Sequence, residues 1–251
     1  MESPALQVMN QLSLRQALRH LRQQQKELVA ATRQRDNLVA AVSHELRTPL
    51  TAVLGFIDIL RDEQLAEEDR QEYLATASRQ AGELAHIIED LLVAARLEQR
   101  TLKITRVPVN LQAQIAQVIE GIETFDNHSV EIAVVPLHAW GDPGRVRQII
   151  RNLVTNAVRY GGTNIRIETY PGSGTAHIAV RDDGAPIPET ERSEIFSPYG
   201  VSTSGRHSTS SIGLGLAISR QLARLMDGDI TYHHDQTNSV FDLALPAHAN
   251  T

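Results

Sequence analysis

Residues 43–50 read SHELRTPL, and the histidine and proline five positions apart are the first pair that could do chemistry. A proline inside a helix removes one hydrogen bond and collides with the carbonyl four residues back, at a cost of roughly 3 kcal/mol. That carbonyl belongs to Glu45, the neighbour of His44. The pattern therefore puts a bendable, locally unpaired segment beside a side chain that is a nucleophile and a proton acceptor near neutral pH. A second pair, Asn152 and Asn156, stands four residues apart and shares one face of another predicted helix.

The elements that must position His44 are helical. Leu14, Leu18, Leu21, Gln25, Leu28, Thr32, Arg35, Val39, Val42, Leu46, Pro49, Val53, Phe56 and Leu60 follow one another in steps of four and three, a heptad seam. In that register His44 takes the position farthest from the seam. Thr48, four residues on, shares its outward face. After the polar stretch RDEQLAEED a second seam follows at Leu74, Ala77, Ala81, Leu84, Ile88, Leu91 and Ala95. So short a loop folds two helices back antiparallel. One such hairpin leaves apolar surface uncovered, so the expectation is a homodimer whose two hairpins form a four-helix bundle, with a coiled-coil extension before it.

From about Arg106 the pattern changes. VPVNL and HSVEIAVV read as strands around a short helix, 111–122. GDPGRVRQIIRNLVTNAVRYGG opens with Asp142 as helix cap and Pro143 at the first helical position, and stops at a glycine pair. NIRIETY and TAHIAVRDDG alternate with period two around PGSG, a hairpin. Residues 199–212, rich in Ser, Thr and Gly, read as a mobile loop. A helix over 213–226 and two final strands, DITYHH and SVFDLAL, complete a two-layer α/β sandwich. The expected organisation is a coiled-coil signalling linker (1–36), a dimerisation and histidine phosphotransfer domain (37–102) and an ATP-binding domain (103–251), the names of the last two resting on the motifs below.

Composition narrows the partners. With 251 residues and 41% hydrophobic content the chain can bury a real core. A net charge of −6 and a pI near 5.9 argue against nucleic-acid binding, which needs a basic face. There is no cysteine, which removes disulfides and thiolate metal sites. No apolar run approaches membrane-spanning length and no signal peptide is visible, so a cytoplasmic chain without membrane contact is expected. The remaining histidines show no metal-ligand spacing.

Five motifs in order resemble the catalytic core of a sensor histidine kinase over residues 35–246: SHELRTPL its H-box, NLVTNAVRY its N-box, DDGAPIP its G1 box, IFSPY its F-box and SIGLGL its G2 box. The resemblance implies a dimerisation and phosphoacceptor domain followed by an ATP-binding domain of the family shared with DNA gyrase and Hsp90. It implies ATP and Mg²⁺ as cofactors, phosphorylation of His44, and transfer of the phosphoryl group to an aspartate of a response-regulator receiver domain. Glu45 would accept the imidazole proton, and Thr48 would place water in the reverse, phosphatase reaction. Asn156 would give Mg²⁺ an oxygen, with Asn152 near the triphosphate. Arg159 would add charge for the phosphates, and Tyr160 would pack near the nucleotide.

By the same resemblance Asp182 would accept a hydrogen bond from the adenine amine, with Gly184 allowing close approach. Gly213, Leu214 and Gly215 open a helix whose free N–H groups suit phosphate. Phe196 is expected to pack the lid rather than touch ligand. Two positions depart from the family pattern, Pro186 in the G1 box and Ser211 in the G2 box. Both flank the ATP lid, and they leave open a nucleotide-binding signalling dimer with mainly phosphatase activity. A gyrase-like ATPase would need a glutamate where Asn152 stands. The signal input would come from an upstream sensor domain or a partner.

Overall fold

The computed structural model describes residues 4–62, 65–122, 128–197 and 214–248. It divides into two compact units, 1–48 and 49–251. Gly213, Ser211 and the predicted 199–212 loop lie outside the described residues, as do the side chains of Leu14, Leu18 and Arg35.

Helix α1 (Pro4–Leu60) runs unbroken through Pro49. In the first unit Val42 and Leu46 are half-buried, whereas Leu21, Leu28 and Val39 are exposed. In the second unit the seam continues with Pro49 buried and Val53, Phe56 and Leu60 half-buried. Helix α2 (Glu67–Glu98) begins with Glu67, Glu68 and Asp69, three acidic residues that complement the helix dipole. The hairpin is closed by the Phe56 ring stacked 5.8 Å from Tyr73 and by Arg70, which donates to the carbonyls of Leu60 and Asp62 at 3.2 Å.

The single seam expected along α2 resolves into two stripes. Ala77, Leu84 and Leu91 are half-buried, but Leu74, Ala81, Ile88 and Ala95 lie exposed in line with Leu92. Leu50, Leu54 and Ile57 make a matching exposed stripe on α1. A helix of a four-helix bundle presents apolar residues to two neighbours, so one heptad seam cannot describe it. Among the described residues no helix is long and apolar enough to cross a membrane.

The sandwich follows the period-two and period-3.6 patterns closely. Strand β1 (Val107–Asn110) leads into α3 (Leu111–Glu120), capped by the Asn110 side chain, which accepts from the Ala113 N–H at 3.0 Å. Strands β2 (Ser129–Ala133) and β3 (His138–Gly141) precede α4 (Pro143–Tyr160), then β4 (Asn164–Pro171), β5 (Thr175–Asp182), α5 (Gly215–Leu225), β6 (Asp229–His234) and β7 (Ser239–Pro246). The main sheet has the order β2-β4-β5-β7-β6, with β2 and β4 parallel and the other pairs antiparallel. Strand β3 was not expected from sequence. It pairs antiparallel with β1 as a separate two-stranded sheet.

One sheet face is apolar and covered. Ile165, Ile167, Ile178, Val180, Leu243 and Leu245 meet Ile149, Ile150, Leu153 and Val154 of α4 and Ile218 and Leu222 of α5, all fully buried or nearly so. The other face carries charged residues, with Arg166 between Glu131 and Glu168, and Arg181 between Glu168 and Asp235, while Ala179, Val240 and Asp242 at its centre are buried. Burial therefore alternates residue by residue over 164–169 of β4, whereas β7 is buried without a break over 239–243. Asp142 caps α4 by accepting from the Gly144 and Arg145 N–H groups, and its second oxygen accepts from the Thr105 N–H at 3.1 Å, tying the interdomain segment to the sandwich.

Candidate functional site

The site gathers where α4 ends, β5 ends and α5 begins. Helix α4 stops at Gly161, whose N–H bonds the Ala157 carbonyl. A Cβ at Gly161 would lie 2.8 Å from both the Cβ and Cγ of Asp182, and one at Gly184 would lie 2.6 Å from Asp182 Oδ1 and 2.8 Å from the Gly161 Cα. Gly161, Gly184 and the Asp182 carboxylate thus crowd together at one point. Gly184 is required first for this contact within the protein.

Asp182 is 5% exposed and faces the covered side of the sheet. Its Oδ1 accepts the Gly184 N–H at 2.9 Å. Burial pushes its carboxyl above the ordinary carboxylate value, Asp183 adds to that, and the Gly184 and Gly162 N–H groups partly offset it. A buried carboxylate with acceptor capacity left over suits a ligand that brings its own N–H donor.

Asp183, the next residue, points elsewhere. Its two oxygens accept from the Asn164 backbone N–H at 2.8 Å and the Asn164 side-chain amide at 2.6 Å, which lower its pKa. A Cβ at Gly162 would collide with Asp183 Oδ1 at 2.0 Å. The glycine pair, Asn164 and Asp183 therefore hold the floor on which Asp182 sits. Sequence reasoning used the glycine pair only as a helix stop, although two glycines between a helix and a strand already signal close backbone approach.

The two N-box asparagines do different jobs. Asn152 donates its amide hydrogens to the Gly215 carbonyl at 3.3 Å and to Ser219 Oγ at 3.1 Å, fastening α4 to the first turn of α5. The Asn156 side chain, half-buried one turn on, makes no hydrogen bond among the described residues. Its carboxamide oxygen is a hard ligand of the kind Mg²⁺ takes. No cluster of three or more His, Cys, Asp or Glu exists among the described residues to form a metal cage. A cation held at Asn156 would complete its shell from phosphates and water, which is the ordinary habit of Mg²⁺.

Arg159 is exposed at the end of α4 and is ion-paired with Glu83 of α2. Tyr160 beside it is half-buried. Leu214 is buried at the start of α5, and a Cβ at Gly215 would meet nothing closer than Asn152 at 3.6 Å, an ordinary contact. Space alone does not demand glycine there.

The segment after the G1 box is pinned. The Ile187 N–H, next to Pro186, donates to the Tyr232 hydroxyl at 2.9 Å, and Arg192 Nε donates to the Ile187 carbonyl at 3.1 Å. Phe196 packs edge-on to Phe241 with centroids 6.4 Å apart, under the Arg220 guanidinium at 4.6 Å. Arg220 is itself held by both oxygens of Asp229. Phe196 is therefore in packing contact with Phe241, while the lid it was expected to pack lies outside the described residues; Tyr232 is a supporting residue the sequence did not flag.

His44, Glu45 and Thr48 lie on α1, in the first unit. His44 is exposed and Glu45 half-buried. Thr48 Oγ1 donates to the His44 carbonyl at 3.3 Å, and Ser43 Oγ donates to the Val39 carbonyl at 2.7 Å. Both are local bonds back along the helix that leave the imidazole itself uncovered.

The sequence profile described as "Histidine kinase-, DNA gyrase B-, and HSP90-like ATPase" matches residues 141–249. The profile described as "His Kinase A (phospho-acceptor) domain" matches residues 34–100. The aerobic respiration control sensor protein ArcB of Escherichia coli (strain K12) is 32% identical over 237 residues, covering 89% of this chain and 30% of ArcB. The signal transduction histidine-protein kinase BarA of the same strain is 34% identical over 226 residues, covering 83% of this chain and 24% of BarA. This chain thus spans less than a third of either relative. The crystal structure of full-length ShkA in complex with AMPPNP superposes with a TM-score of 0.58 at 28% identity, covering 84% of this chain and 46% of ShkA.

Proposed function

Because the chain belongs to the sensor histidine kinase family, whose phosphoacceptor and ATP-binding modules it carries in sequence, we propose that it transfers the γ-phosphoryl group of ATP to the imidazole of its own His44. The observation that carries this reading is the buried Asp182 carboxylate packed against Gly161 and Gly184, one oxygen already satisfied and acceptor capacity left for an exocyclic amine. The AMPPNP complex of ShkA, a relative by structure, supports a nucleotide as the ligand.

In this reading Asp182 selects adenine. Arg159 offers its guanidinium to the phosphates. Mg²⁺, bound through the Asn156 oxygen, would neutralise charge on the triphosphate. Asn152 keeps the start of α5, and with it Leu214 and Gly215, at a fixed distance from α4. On α1 an imidazole nitrogen of His44 attacks the γ-phosphorus in line, the bond to the β-bridging oxygen breaks and ADP leaves. Glu45 takes the proton from the other ring nitrogen. A receiver-domain aspartate of a response regulator then accepts the phosphoryl group, and Thr48 orients water for the reverse, phosphatase reaction.

The functional form is a homodimer, with modules near 1–36, 37–102 and 103–251. The exposed stripes Leu50, Leu54, Ile57 and Leu74, Ile88, Leu92 support this, since such apolar faces on paired helices call for a partner. Incubating the chain with γ-labelled ATP tests the reading. Acid-labile label that disappears in His44→Gln supports it, and acid-stable label or none overturns it.

A further inference from the structure

Arg159 is the one member of the nucleotide set seen holding an anion among the described residues. Its partner Glu83 lies on α2, and the two side chains remain 42% and 36% exposed. Three more polar ties join the same two helices. Arg145 pairs with Glu89 at 3.6 Å, Gln148 Nε2 donates to Asp90 Oδ1 at 2.7 Å, and Arg151 Nη1 meets His86 Nε2 at 2.9 Å. Along α2 the partners run 83, 86, 89 and 90, and along α4 they run 159, 151, then 145 and 148. The polar faces therefore meet in opposite directions, with Glu83 and Arg159 at the end nearest Gly161 and Asp182.

A guanidinium offers the same fork of donors to a carboxylate and to a phosphate. It cannot give that fork fully to both. Glu83 presents a single negative charge on a part-exposed, solvent-screened side chain, whereas a triphosphate presents several. A nucleotide that engages Arg159 must first displace Glu83, and displacing Glu83 removes the terminal tie between α2 and α4.

Resting on the kinase reading above, we propose that Glu83 competes with the nucleotide's phosphates for Arg159, so that ATP loading and docking of the ATP-binding domain on α2 oppose each other. Glu83 is a positioning residue in this scheme, acting on nucleotide only through Arg159. Linkage makes the opposition reciprocal, so the docked arrangement holds nucleotide less tightly than the released one.

Calorimetric titration of the full chain with AMPPNP and Mg²⁺ tests this. Glu83→Gln should bind the analogue about 2- to 5-fold more tightly than wild type, the range an exposed ion pair supports. Arg159→Ala should bind it less tightly, and adding Glu83→Gln to Arg159→Ala should change nothing further. A merely structural role for Glu83 would weaken binding instead. Unchanged or weaker binding by Glu83→Gln, or an equal gain in the Arg159→Ala background, overturns the proposal while leaving the kinase reading intact. Failure of the wild-type chain to bind the analogue at all overturns both.

Discussion

Gly161 and Asp182, twenty-one residues apart in sequence, pack so closely that a Cβ added at Gly161 would lie 2.8 Å from the Asp182 carboxyl carbon, as well as 2.4 Å from the Ala157 carbonyl oxygen. The consequence is that a single methyl group at the end of α4 reaches the Asp182 carboxylate proposed to read adenine. Gly161→Ala should lose AMPPNP binding and cost about 1–3 kcal/mol of stability, the usual penalty of overpacking. Calorimetry and thermal melts read both, and normal affinity in this variant would remove the cradle from the argument.

Asp182→Asn separates binding from stability in the other direction. Burial raises the carboxyl pKa in the folded state, so stability from this group is fully present below the unfolded value and is lost as pH rises through the folded one. At pH 7 the buried charge is a net cost. Asp182→Asn should therefore melt at or above the wild-type temperature at pH 7, lose that advantage near pH 4, and still bind nucleotide more weakly. A melting temperature well below wild type at pH 7 would contradict the sign.

The two asparagines should part company in the same assays. Asn152→Ala removes hydrogen bonds to Gly215 and Ser219 and should destabilise the fold by about 1–3 kcal/mol. Asn156→Ala breaks no bond among the described residues and should melt like wild type while losing Mg²⁺-dependent AMPPNP binding. Equal melting of the two variants would show that the α4–α5 tie carries no stability.

On α1, His44→Gln should abolish acid-labile labelling and leave AMPPNP affinity within error. Thr48→Ala should retain most autophosphorylation and lose most phosphatase activity toward a phosphorylated response regulator. Glu45→Ala should slow the kinase step by the 10²–10⁴-fold typical of a lost general base. Equal loss of both activities in Thr48→Ala would mean that its bond to the His44 carbonyl is its whole role.

The α2–α4 contact should be sensitive to acid through His86. Burial, then the nearby Arg151 charge, lowers its pKa below 6.5, against the opposing pull of Glu89 and Glu83 on its own helix. A histidine depressed in the folded state stabilises above its unfolded value and loses that contribution as pH falls through the folded one. Between pH 7.5 and 5 the melting temperature should drop more in wild type than in His86→Gln, whose amide oxygen can still accept from Arg151. Parallel pH profiles would place the acid sensitivity elsewhere.

Much of this protein was readable as sequence because local rules governed it. Asp142 and Pro143 start α4 through their own backbone and side-chain chemistry. Strand β4 alternates because one of its faces is covered and the other is wet, and that contrast prints itself at period two, whereas β7 is buried on both faces over 239–243. His44 could be placed on an outward helix face, and it is exposed, because 3.6-residue periodicity fixes which side chains share a face. The five motifs were legible because each lies within a few contiguous residues.

What sequence could not supply depends on residues brought together from far apart. Strand β3 is four residues long and pairs with β1 across some thirty positions, too short for alternation to register. Along α2 two apolar stripes overlap, and only the packed hairpin shows which one is covered. Asn152 was expected near the triphosphate, and the bonds of its amide hydrogens to Gly215 and Ser219 of α5 could not be read from sequence. Arg159 was read as charge for a ligand, and its partner Glu83 sits on another helix, in a polar face with no periodic signal. Polar pairs between distant elements are decided by geometry, since many acidic side chains could have met that guanidinium and only the tertiary fold chose which one did.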